Sequence, residues 1–323
     1  MTIPAFARTA VDCLALRPDE RFLMICDDPL VEAGLAVADA AIARGASALV
    51  TVLPLAARPL SEPSRGILSA IPETDAVLLW LQRMWTEEVQ WRRSIYDLCA
   101  ETGARIAFGG AMDQGILANE MSADYTSIRE RTRAFAAALG PAQSIRVTGR
   151  SGTDLTVAVA GRDWKLDDGL VDQPGQFANL PAGEVFIAPL ETEANGVLVV
   201  DCSLSLGDPD LTMVDEPVHI HFEAGRVVAV EGGRSAAAFR ELITQPGADV
   251  IAELGIDTNE KARMQGNVMT DEKVLGSIHV AVGYNLGSYG GINDSPVHCD
   301  CCVADADVYA DGKLLIEKGR LVN

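Results

Sequence analysis

Between residues 22 and 110 short apolar runs alternate with longer stretches of helical period, and beyond residue 140 the period drops to two. The run "FLMIC" (22–26) leads through "DDPL" into "VEAGLAVADAAIARG", where Ala, Leu, Val and Ile recur at helical spacing up to Gly45. "ALVTVLPL" (48–55), "AVLLWL" (76–81) and "RIAFGG" (105–110) repeat the strand signal, and "TEEVQWRRSIYDLCAETG" (86–103) repeats the helical one, closed by Gly103. Strands apolar on both faces and interleaved with helices predict a parallel sheet covered on both sides. After the helical "YTSIRERTRAFAAALG", the segments "SIRVTGRSGTDLTVAVAG", "GEVFIAP", "GVLVVDCSL" and "VHIHFEAGRVVAVEGG" alternate apolar and polar residues between turns, with one helix at "SAAAFRELITQ" (235–245). The fold class is therefore α/β: a parallel-sheet α/β domain over residues 1–142, followed by a β-rich α+β domain over residues 143–323.

A dinucleotide-binding turn needs closely spaced glycines that bring backbone N–H groups against a pyrophosphate, and "DDPLVEAG" after the first strand lacks that spacing. "GGAMDQGILANE" likewise lacks the Gly-Lys-Ser/Thr of a phosphate loop. The first half reads as a scaffold rather than an NAD or FAD module. With 26 basic against 46 acidic side chains, net −20, and only the short "RERTR" (129–133) as a basic cluster, nucleic acid and anionic membrane are not expected partners. The N-terminus has early acids and no signal-peptide core, and nowhere do 18 apolar residues run together, which predicts a cytoplasmic protein. Seven cysteines are scattered except for Cys299, Cys301 and Cys302, a pattern of reduced thiols rather than of a disulfide framework or a zinc knuckle.

The chain has four histidines. His219 and His221 lie two apart in "PVHIHFEAG", on one face of a strand whose other face is Val218, Ile220 and Phe222; the spacing allows a two-histidine metal edge, and a polar outer face is the plainer reading. His279 sits inside the apolar run "VLGSIHVAVGYN". His298 stands two residues before Asp300 in "SPVHCD", so an extended backbone offers one nitrogen and a carboxylate to the same cavity, while Cys299 points the other way into packing. Between these two segments runs "GYNLGSYGGINDSP" (283–296), either a pocket-lining loop presenting Asn285, Asn293, Asp294 and Ser295 or a plain connection.

The second half resembles the M29 family of thermophilic or leucyl-type metallo-aminopeptidases. "LPAGEVFIAP" (180–189) is similar to that family's segment bearing a metal-ligand glutamate, which implies the role for Glu184. "IAELGIDTNEKARMQGNVMTDEKVLGSIHVAVG" (251–283) is similar to its next two blocks, implying ligand roles for Glu253 and His279 and the general-base role for Glu272; "HCD" matches its last block, implying His298 and Asp300. Glu272 stands slightly further from the following histidine than the family's base does, so Asp271 competes for the role, and Tyr284 and Tyr289 compete for that of the family's active-site tyrosine. A more distant likeness joins the chain to 2,5-dihydroxypyridine 5,6-dioxygenases, ring-opening enzymes that share the final His-x-Asp and use one Fe(II); where their first histidine stands, this chain has Glu253.

Three carboxylates and two imidazoles offer hard oxygen and borderline nitrogen donors, which suit Zn²⁺, Co²⁺ or Mn²⁺. Two such ions sharing a bridging carboxylate would hold a water as nucleophile, with Glu272 accepting its proton. The expected function is a dinuclear metal-dependent hydrolase, most simply an aminopeptidase acting on short peptides or small amides. The alternatives are a hydrolase or Fe(II) dioxygenase acting on a small heteroaromatic compound, and a protein that binds metal or a small molecule without turnover. The resemblance also implies a homodimer.

Overall fold

From Phe22 to Asp27, β1 (Arg21–Asp27) is buried without a break, as the apolar run requires. The computed structural model describes residues 2–206 and 212–322. It pairs β1 in parallel with β2 (Ser47–Leu53) on one side and β3 (Ala76–Trp80) on the other, and β3 with β4 (Arg105–Gly109). On one face Ala7, Ala10 and Val11 of α1 (Ala5–Cys13) and Val37 and Ala41 of α2 (Val31–Ala43) pack with Phe22, Met24, Leu78 and Trp80 of the sheet. Ile67 of α3 (Arg65–Ala70) and Trp91, Ile95 and Cys99 of α4 (Val89–Thr102) are also buried. Gly103 ends α4 in the left-handed region, φ 79°, the cap its sequence position predicts.

At the carboxyl ends of β1 and β3, where doubly wound sheets receive ligands, the protein places its own charges. Arg58 pairs there with Asp27 and Glu88, all three side chains fully buried, and Asp27 Oδ2 accepts from the Gln82 amide at 2.7 Å.

The remaining elements include α5 (Gln114–Ala118), α6 (Tyr125–Leu139), β5 (Ser144–Gly149), β6 (Asp154–Ala158), β7 (Lys165–Asp167) and β8 (Phe177–Asn179). β8 returns to the parallel sheet beside β4, giving the order β2-β1-β3-β4-β8. Consequently the chain does not divide at 142/143. One unit comprises the residues up to Arg129 with Asp168–Ala182, the other Glu130–Asp167 and the residues from Gly183 onward. The division falls inside α6 because Tyr125 and Ile128 pack into the first core while Phe135 and Leu139 pack into the second.

The second unit holds two antiparallel sheets. Its further strands are β9 (Glu184–Ile187), β10 (Ala194–Val200), β11 (Val218–Glu223), β12 (Arg226–Glu231), β13 (Ile251–Asp257), β14 (Ile278–Gly283), β15 (His298–Val303), β16 (Ala306–Ala310), β17 (Lys313–Glu317) and β18 (Arg320–Leu321). Helix α7 (Arg234–Leu242) follows β12, and the single turn α8 (Val268–Asp271) precedes β14. Eight strands run β12-β11-β10-β6-β5-β16-β17-β18 and five run β15-β14-β13-β9-β7. Ile145, Val147, Leu198 and Ile220 of the larger sheet share one core with Val185, Leu254, Ile256, Val280, Val282, Cys299 and Cys301 of the smaller. Because side chains alternate along a strand, the residues between these, Glu184, Glu253, Gly255, Asp257, His279, His298 and Asp300, take the opposite face of the five-stranded sheet.

Candidate metal centre

The ladder of this sheet sets the sequence-predicted ligands side by side. Glu184 is opposite Asp257, Gly255 opposite His279, Glu253 opposite Ala281, and Ala281 in turn opposite Asp300. Small residues alternate with ligands across the rows. A Cβ on Gly255 would lie 1.9 Å from His279 Cε1, so only glycine leaves room for the imidazole over the sheet. Just before Glu184, Gly183 has φ 137° and its hydrogens face Asn259, where a Cβ would come within 2.8 Å of another side chain.

All five predicted ligands converge. His279 Nε2 is 3.3 Å from Glu184 Oε2 and 3.6 Å from Glu253 Oε1; His298 Nε2 is 3.2 Å from Glu253 Oε2 and 3.3 Å from Asp300 Oδ1. The outer nitrogens are already committed. His279 Nδ1 meets Asp257 Oδ1 at 3.0 Å, and His298 Nδ1 meets the Tyr284 carbonyl at 2.7 Å. An Nδ1–H donated in each case leaves Nε2 as a lone pair aimed into the cluster, the arrangement that orients metal-ligating histidines. His298 and Asp300 keep 21% and 14% of their side-chain surface, while Glu184, Glu253 and His279 are nearly closed, so the cluster opens toward the His298 end.

Sequence reasoning missed Asp257 and Lys273. Asp257 belongs with Glu184 and His279 to a group near enough to share an ion, as do Glu253, His279 and Asp300. Its Oδ1 is taken by His279, however, and its Oδ2 by the Ser277 hydroxyl at 2.6 Å, so it supports the imidazole rather than facing the cluster. Glu253, Gly255 and Asp257 alternate on one strand face, a signal that could have flagged it. Lys273 is 1% exposed, with Nζ 2.7 Å from Glu184 Oε1 and 3.0 Å from Glu272 Oε1.

The charges are strongly perturbed. Burial pushes Glu184 well above the usual carboxylate range against the pull of Lys273 and His279, and pushes Glu272 up to about 7. Burial opposes ionisation of Asp300 too, but His298 beside it outweighs that and holds it down at about 2. Desolvation disfavours both imidazolium ions, yet Asp257 raises His279, and Tyr289 and Asp300 raise His298, well above ordinary histidine.

Of the competing residues, Asp271 accepts from the Gln265 and Gly266 amides at 2.9 Å each, holding a turn. Tyr289 lies against His298 with ring centroids 4.7 Å apart, while Tyr284 stands 6.4 Å beyond Tyr289 and contributes its carbonyl. Asn285 and Asn293 serve their own loop: Asn285 bonds Glu191 at 2.9 Å and the Asn293 amide at 2.7 Å. Cys299 and Cys301 point into the core, and His219 and His221 lie on β11 of the other sheet, His221 3.7 Å from Glu231. Among the described residues, neither ion-sized group includes them.

A family model, NicX, 2,5-dihydroxypyridine 5,6-dioxygenase, matches residues 37–323. The chain belongs to this family. The 2,5-dihydroxypyridine 5,6-dioxygenase of Pseudomonas putida KT2440 is 25% identical over 209 residues, which is 60% of this chain. The match spans 58% of that relative's length. The solved structure of 2,5-dihydroxypyridine dioxygenase from P. putida KT2440 aligns over 98% of this chain and 96% of its own, with a TM-score of 0.77 and 20% identity. Wild-type AmpT from Thermus thermophilus aligns over 99% of each chain, with a TM-score of 0.73 and 19% identity, supporting the likeness to the M29 fold. The NicX family therefore carries the sequence relationship, and the M29 likeness is one of fold. Among the described residues, no helix is long and apolar enough to cross a membrane.

Proposed function

We propose that this NicX-family chain is a dinuclear metal-dependent hydrolase that cleaves an amide bond in a small substrate, most simply the N-terminal bond of a short peptide. One observation carries the reading: the Glu253 carboxylate spans two donor sets, with Oε1 toward His279, which also meets Glu184, and Oε2 toward His298, which also meets Asp300. A carboxylate shared in this way is what two neighbouring ions need. Glu184 and His279 would hold one ion and His298 and Asp300 the other, with Glu253 common to both. Divalent ions of the Zn²⁺, Co²⁺ or Mn²⁺ kind supply a water acidic enough to attack at neutral pH and polarise the scissile carbonyl.

The protein's own groups do the rest. Glu272, whose burial raises it to about 7 in the metal-free cluster, would take a proton and return it to a departing amine. Burial raises the Tyr289 phenol, so it stays protonated and can donate to a developing oxyanion at the open end of the cluster. The mostly buried entrance at His298 and Asp300 and the ring of Tyr289 favour small substrates over folded chains.

Family membership supports a second reading, ring opening of a dihydroxylated pyridine at a single Fe(II), which His298, Asp300 and Glu253, standing in the place of the family's first histidine, would hold. The two separate on metal counting and turnover. Protein purified without added metal is expected to hold two divalent ions per chain and to release ammonia and leucine from leucinamide. One iron per chain, with oxygen uptake on 2,5-dihydroxypyridine, would replace the first reading with the second.

A further inference from the structure

We propose that Lys273 is a resident cation of this centre, a positioning residue whose ammonium occupies one oxygen of Glu184 and makes the Glu184–His279 position the weaker of the two metal positions. The inference rests on the two-ion reading above.

A lysine buried to 1% exposure must find compensation for its desolvated charge, and Lys273 finds it in carboxylates: Glu184 at 2.7 Å, Glu272 at 3.0 Å and Asp167 at 4.0 Å. Its backbone is fixed on both sides, the amide donating to Thr270 O at 3.0 Å and the carbonyl accepting from the Asn259 amide at 2.8 Å. Burial and the two close carboxylate contacts hold the ammonium in the centre. It takes Glu184 Oε1, leaving Oε2, the atom 3.3 Å from His279 Nε2, as that residue's single free donor. Glu272 and Asp167 offset much of the ammonium's charge, so what it withholds from an arriving dication is the Glu184 oxygen that it already occupies. At the other end the situation differs: among the described residues, the ion pairs of Glu253, His298 and Asp300 are made with imidazoles, which become neutral ligands when a metal binds. The centre is thus asymmetric in its available donors, one oxygen of Glu184 being held by a permanent cation, and the His298–Asp300 position fills first. The same ammonium holds Glu272 Oε1, so it also sets the direction of the proposed base.

Chelator-stripped protein titrated with Co²⁺, followed by visible absorption and by metal count per chain, tests this directly. Wild type is expected to load in two steps at least tenfold apart. In Lys273→Met the weaker step tightens at least tenfold, and Lys273→Arg, which keeps the charge, preserves the separation. Lys273→Gln gives the same reading if the methionine variant does not fold by circular dichroism. Two steps of equal affinity in wild type, or unchanged steps in the neutral variants, overturn the inference. A wild-type capacity of one ion overturns the two-ion reading instead; in that case a second ion gained by Lys273→Met supports the lysine's role, and one ion in both overturns it.

Discussion

Gly255 and Asp257 bind no ion in the proposed centre, yet both govern His279. The ring of His279 lies over Gly255, where an added Cβ would fall 1.9 Å from Cε1. Gly255→Ala must therefore displace the imidazole, and we expect loss of at least one bound ion per chain and at least a 100-fold fall in activity, checked by metal count and turnover on leucinamide. A variant that keeps both ions and full rate would show that the ring has another place to go. Asp257 acts by hydrogen bonding: it fixes the proton on Nδ1 and aims Nε2 inward. Removing such an outer partner typically lowers metal affinity by about 10–100-fold, so Asp257→Asn should weaken Co²⁺ binding by that factor in a competition titration while the ligand set stays whole. Glu253 and His298 could be read from sequence by their likeness to known motifs. Asp257 has no such likeness: its alternation with Glu253 and Gly255 puts it on the ligand face, but its role as the partner of His279 depends on lying across one ladder rung from Glu184, a register that no single strand reveals.

The elements show the same division between what period can and cannot convey. The strands at 21–27, 76–80 and 105–109 and the helices at 31–43, 89–102 and 125–139 follow from apolar runs and 3.6-residue spacing. β8 has three residues and no pattern of its own; its pairing with β4 draws Asp168–Ala182 into the first unit, and no local signal announces a segment that returns. Helix α6 likewise reads as one helix, although its two ends serve different cores. At the carboxyl ends of β1 and β3, Arg58 pairs with two buried carboxylates, Asp27 and Glu88, and it also covers Trp85 at 4.4 Å. Breaking a buried pair by deleting one partner costs about 3–5 kcal/mol, since the orphaned charges stay desolvated. Arg58→Met should lower unfolding free energy by about that amount in urea titration, whereas a loss under about 1 kcal/mol, the range of exposed pairs, would mean that water reaches the cluster.

For the molecule as a whole, the excess of 46 acidic over 26 basic side chains is carried into the centre, where Asp167, Glu184, Glu253, Asp257, Glu272 and Asp300 meet one lysine and two histidines. Without metal, the cluster's protons carry much of its compensation, and that sets the sign of its pH dependence. Glu272 is raised from 4.5 to about 7, so the folded state binds the extra proton across that interval and stability falls as pH rises through it. His279 and His298 are raised above 6.5; their contribution is complete below 6.5 and is lost as pH climbs through the higher folded values, which is the same direction. Asp300 works oppositely, but its contribution disappears only as pH falls from 3.8 toward 2, outside the range in question. Chelated protein should therefore melt at progressively lower temperature from pH 5 to pH 8. Divalent ions reverse the trend, because they bind the deprotonated carboxylates and neutral imidazoles and stabilise only the folded chain. The melting curves with and without ions should accordingly diverge as pH rises, and thermal scans at pH 5, 6.5 and 8 in the presence of Co²⁺ or of chelator will measure the gap. A gap that stays constant would mean that the ions do not compete with protons for these side chains, and would place the bound metal elsewhere in the protein.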